Sequence, residues 1–107
     1  MTIKRIYHKL IRDRIPEIIE TQGQCCIVKQ LSDEEYLKMV DAKLDEELAE
    51  YHKEQNLEEL ADLMEVIYAA AEARGFTREQ LERVRAEKEA QRGAFHKRLL
   101  LLEVRDS

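Results

Sequence analysis

The chain has 107 residues, 38% of them charged and 44% hydrophobic, and carries a net charge of −5 at pH 7. That length supports a single domain, residues 1–107, with one modest core, and the acidic balance excludes a general nucleic-acid binder, which needs a basic face. No apolar run is long enough to cross a bilayer, and the opening residues, with Lys4, Arg5, His8 and Lys9, do not read as a secretory leader, so the expected compartment is the cytoplasm.

The stretch from Ile3 to Ile15 mixes apolar and basic residues and leads into a short helix, with Pro16 suited to its first turn and Gly23 to its end. Cys25 to Leu31 has the composition of one short strand. Cys25 and Cys26 are adjacent and match no metal or redox spacing, so they read as ordinary reduced residues. Ser32 followed by Asp33, Glu34 and Glu35 predicts an N-cap with an acidic first turn. The helix beyond it runs to about Glu54, with Leu37, Val40, Leu44, Leu48 and Tyr51 as its apolar stripe. Asn56 opens a second long helix that reaches Arg74 before Gly75, and Thr77 with Gln80 opens a third that ends near Gly93. Leu99 to Val104 is apolar enough for a strand that pairs with the Cys25–Leu31 segment. The expected class is mainly α: an antiparallel helical hairpin or bundle with a short two-stranded β element.

The chain has two Phe, four Tyr and no Trp, so Leu, Ile, Val and Ala must do most of the packing. The second long helix is apolar round much of its circumference, more than one neighbouring helix can cover. Both features predict association at least to a dimer.

Two acidic pairs carry the chemistry. Glu47 with Glu50 and Glu59 with Asp62 are each spaced by three, which puts both members on one helix face. The pairs are placed symmetrically about the turn near Asn56, and in an antiparallel hairpin such positions lie at the same height. Four carboxylates therefore converge. Two charges ~4 Å apart repel by about 4 kcal/mol at an effective dielectric of ~20, and a hard divalent ion with oxygen ligands relieves that repulsion. In projection Glu59 lies inside the apolar arc of its helix and Asp62 borders it, so Glu59 is expected to be largely buried and to need a partner. That partner is either a metal ion or a basic residue, with Lys43 or an arginine from elsewhere in the chain as the candidates. Lys43, Glu47 and Glu50 share one flank of their helix, whereas Glu46 faces further away.

On these residues the chain resembles the MazG-like, all-α nucleoside triphosphate pyrophosphohydrolase superfamily, to which phosphoribosyl-ATP pyrophosphohydrolase and dimeric dUTPase-like enzymes also belong. Its EExxE…ExxD mark is matched by Glu46-Glu47-Leu48-Ala49-Glu50 and Glu59-Leu60-Ala61-Asp62, and the preceding Lys43-Leu44 matches too. Lys88 and Arg92-Gly93-Ala94-Phe95 are similar to the family's basic Lys…Arg-Gly-Gly-Phe segment, with Ala94 in place of the second glycine. The run Tyr7-His8-Lys9-Leu10-Ile11-Arg12-Asp13-Arg14-Ile15-Pro16 is similar to the opening of a small MazG-like subgroup. Eight residues separate Glu50 from Glu59, fewer than in many such proteins.

The resemblance implies Mg²⁺-dependent hydrolysis of a nucleoside triphosphate to the monophosphate and pyrophosphate, with Mn²⁺ as the alternative ion. It implies Glu47, Glu50, Glu59 and Asp62 as metal ligands and a homodimer or homotetramer as the assembly. Glu46 would support a ligand or orient the attacking water. Lys9, Arg12, Arg14, Lys43, Lys88 and Arg92 are the cations available to the substrate's phosphates. His52 and His96 have no partner spacing that suggests catalysis. Two other readings compete: hydrolysis restricted to phosphoribosyl-ATP, and a non-catalytic helical module whose acidic cluster is a structural ion site or a salt-bridge network.

Overall fold

The computed structural model describes residues 4–106, and these form four helices: α1, Ile15–Thr21; α2, Asp33–Glu54; α3, Leu57–Ala73; and α4, Arg78–Arg92. Ile3, where the expected N-terminal segment begins, lies outside the described residues.

Local chemistry accounts for several of the helix boundaries. Pro16 sits in the first turn of α1, where its missing N–H costs nothing, and Gly23 follows the helix at φ +79°. Ser32 caps α2 in a reciprocal box: its hydroxyl accepts from Glu35 N at 3.2 Å, and the Glu35 carboxylate accepts from Ser32 N at 3.3 Å. Lys29 donates to the same carboxylate at 2.9 Å. That bond, followed by the two from Ser32, holds the Glu35 carboxyl at about 2, so the box stays charged across the physiological range. Thr77 and Gln80 build a second box at the start of α4.

The hairpin of α2 and α3 is the structural centre. It turns in two residues, Gln55 in the left-handed region at φ +52° and Asn56 as the cap of α3. Val40 on α2 and Val66 on α3 are its buried apolar residues, 1% and 9% exposed. Arg74 ties the end of α3 to Asp41 of α2 at 3.2 Å. Arg78 joins α4 to α3 by ion pairs to Glu65 (3.2 Å) and Glu72 (3.4 Å), and lies 4.3 Å over the Tyr68 ring.

Neither expected strand forms among the described residues: Cys25–Leu31 and Leu99–Val104 both lack regular structure, and the two segments do not pair. An isolated two-stranded ribbon is marginal in water unless a further strand or a helix covers one face. Here Ile27 is fully exposed and its neighbour Val28 is more than half exposed, so neither face of the segment is covered at its middle. The fold among the described residues is wholly helical.

The helices do not close around a compact core. The radius of gyration is 19.0 Å, against about 13 Å for a compact domain of this length.

Candidate functional site

Glu47 points from α2 into the hairpin and is buried at 9% exposure, the one buried charged side chain among the described residues. Glu59 and Asp62 meet it from α3, both half-buried. One oxygen from each of these three carboxylates lies within 4.8 Å of the others. The cap of α3 helps to aim Glu59. Asn56 Oδ1 accepts from the Glu59 backbone N–H at 2.9 Å, which satisfies the helix end without the Glu59 carboxylate. That side chain is then free to face Glu47.

Burial runs differently from the helical projection. Glu47 is the buried carboxylate, and Glu59, expected to be largely buried, is only half-covered. Projection ranks positions round a single helix, whereas actual cover depends on where the one neighbouring helix stops. Glu59 lies in the first turn of α3, beside the Gln55–Asn56 turn where α2 ends and its cover runs out. Glu50 is exposed and is not one of the three converging carboxylates.

The cluster is short of positive charge at Glu59. Partial burial pushes its carboxyl above the ordinary value, and the charges of Asp62, Glu50, Glu47 and Glu54 push it further in the same direction. Glu54 did not stand out in the sequence, although it lies four residues after Glu50 and so on the same flank of α2.

Cations reach the other members. Arg12 Nη2 donates to Asp62 Oδ1 at 2.6 Å, across 50 residues of sequence. Lys43, half-buried, lies 3.1 Å from Glu46 and 3.3 Å from Glu47. Lys9 approaches Glu46 at 4.0 Å. Glu46 therefore belongs to the rim of the cluster, although its helical position suggested a more distant direction. Arg14 pairs with Glu17 at 3.5 Å. Lys88 and Arg92 are exposed and make no ion pair with the acidic residues among the described residues. The N-terminal basic run thus touches the cluster, and the basic end of α4 does not.

The donor set fits a hard divalent cation. Three carboxylates from two helices offer oxygen ligands in one small volume, and their mutual repulsion at Glu59 is what such an ion would remove. A consequence for stability follows from the raised Glu59 carboxyl. Between the ordinary carboxylate value and the raised one, the folded chain holds a proton that the unfolded chain has released. The stability of the metal-free protein therefore falls as pH rises through that window, and Glu59 opposes folding at neutral pH. In thermal melts without divalent ions, Glu59→Gln should flatten this decline and raise Tm near pH 7. An unchanged pH profile in that variant would remove the repulsion from the account.

No protein-family model matches the chain, and no solved structure matches it. Over 42 residues it is 55% identical to an uncharacterised protein of Mycolicibacterium smegmatis, a stretch covering 39% of this chain and 43% of that relative. The match thus spans less than half the length of either protein, and the relative's name carries no activity.

Proposed function

We propose that this chain is a Mg²⁺-dependent nucleoside triphosphate pyrophosphohydrolase that works as a homo-oligomer. The observation that carries this reading is the convergence of Glu47, Glu59 and Asp62 within 4.8 Å, with Arg12 and Lys9 arriving at its edge. The MazG-like resemblance of the same residues supports it independently of the geometry.

Glu47, Glu59 and Asp62 would hold Mg²⁺, with Glu50 available about one turn nearer the Gln55–Asn56 turn. The bound ion supplies charge neutralisation at the phosphate oxygens and a more acidic water for hydrolysis. The chain's own residues do the rest. Arg12 offers a guanidinium that can turn from Asp62 to a phosphate oxygen once the ion neutralises that carboxylate. Lys9 adds a second cation on the same side. Lys43 holds Glu46 and Glu47 in place, so that Glu46 stands at the rim where an attacking water would be oriented.

Pyrophosphate release from a panel of nucleoside triphosphates and phosphoribosyl-ATP, with and without Mg²⁺, tests the reading. Turnover confined to phosphoribosyl-ATP would narrow the substrate. A specific observation also favours the structural alternative: Arg12–Asp62 and Lys43–Glu47 already form a salt-bridge network across the cluster. No turnover on any nucleotide would select that network, and with it a non-catalytic helical module.

Arg12→Ala separates the two roles kinetically. If Arg12 binds phosphate in ground and transition states alike, the variant raises KM about tenfold with kcat little changed, that factor being about 1.4 kcal/mol. Arg92→Ala provides a comparison, since Arg92 reaches the cluster only if another subunit presents it. Unchanged kinetics in both variants would exclude a phosphate-binding role for either basic segment.

A further inference from the structure

The accessible surface of the chain is 10302 Å², whereas a compact monomer of 12.7 kDa exposes about 6,200 Å². The excess is several times the ~800 Å² that one partner contributes to an ordinary stable interface. Two apolar features contribute to it. On α3, Leu57, Leu60, Met64 and Ile67 follow a three-four-three spacing and form one stripe on the side away from Val66. They are 77%, 44%, 53% and 41% exposed. After α4, the segment Leu99–Val104 exposes each of its five apolar side chains by 78–86%.

The two features match each other. The stripe is about 15 Å long at the rise of an α-helix. In extended backbone, Leu100, Leu102 and Val104 fall on one face and span about 13 Å, while Glu103 points the other way. Charges match as well. Lys97 and Arg98 precede the leucines, and Glu54 and Glu58 stand at the Leu57 end of the stripe. None of these four forms an ion pair among the described residues.

We propose that the segment Leu99–Val104 of one copy docks along the Leu57–Ile67 stripe of a second copy, reciprocally, with Lys97 and Arg98 beside Glu54 and Glu58. This rests on the association proposed above and specifies how it is made. Docking in trans covers both apolar surfaces at once.

Cysteine cross-linking of the full chain tests it. With Cys25 and Cys26 replaced by serine, Leu102→Cys and Met64→Cys are made as separate single-cysteine proteins, mixed and oxidised. The expected product is a covalent heterodimer, formed at least several-fold more than when Glu87→Cys on α4 replaces Met64→Cys. Light scattering of the unmodified chain should show at least twice 12.7 kDa. A larger mass without the selective cross-link would overturn the docking while leaving association standing. A mass of one chain would overturn both. The Leu102→Cys/Met64→Cys double variant closing its disulfide within one chain would show docking in cis and would also overturn the proposal. Nucleotide hydrolysis is read in a separate assay, so its absence does not affect this result.

Discussion

Glu47→Gln and Asp62→Asn should each lower Mg²⁺-dependent pyrophosphate release by at least about a hundredfold, since even residues that only support metal ligands cost about 10–100-fold when lost. The two substitutions act from different helices on one volume: Glu47 from α2 and Asp62 from α3. Neither should unfold the protein. Glu47→Gln leaves Lys43 its 3.1 Å contact with Glu46, and Asp62 is half-exposed, so its amide is readily solvated. Circular dichroism should therefore show unchanged helix content while calorimetric titration with Mg²⁺ loses its heat. The Asp62 variant carries an added signature: Arg12 loses its 2.6 Å charged partner and becomes available to phosphate. KM for a nucleotide should then rise less in Asp62→Asn than in Glu47→Gln. Normal hydrolysis by both variants would exclude this cluster as the metal site.

Val40→Asp should abolish cooperative unfolding at 25 °C and, with it, metal binding. Val40 is 1% exposed and faces the contact between α2 and α3. An unpaired buried charge costs several kcal/mol, a large share of the ~5–15 kcal/mol that holds a typical domain together. This chain has little to set against that loss, because among its described residues Val66 is the other buried apolar side chain. Val40→Ala, which removes the equivalent of two methylenes, should cost about 2 kcal/mol and leave a folded protein. The site depends on the same contact, since the hairpin alone brings Glu47 to Glu59 and Asp62. Mg²⁺ should consequently protect Val40→Ala against thermal unfolding and fail to rescue Val40→Asp. A Val40→Asp protein with a sharp melt near that of the parent would show that the helices are held together by something other than this core.

The long helices and the meeting of Glu47, Glu59 and Asp62 are legible in local chemistry and spacing. Ser32 with Glu35 and Thr77 with Gln80 are capping signals that act within four residues, so no tertiary information is needed to read them. The equal-height placement of Glu47 and Asp62 is likewise a property of any short antiparallel hairpin, and it survived intact. The strand reading of Cys25–Leu31 and Leu99–Val104 failed because strand formation needs a partner and a covered face, and composition specifies neither. Glu50 illustrates the same limit within a helix. It lies about 60° round from Glu47, and only the position of α3 decides that this turn leads to solvent rather than to the cluster. Which cation answers the carboxylates was also a tertiary matter. Lys43 is local, three and four residues from Glu46 and Glu47, and could be named from spacing. Arg12 meets Asp62 across 50 residues, and nothing in spacing distinguishes it from Arg14, Lys88 or Arg92. The chain path from α1 to the hairpin selects it, because long-range ion pairs are set by where the backbone runs and not by residue type.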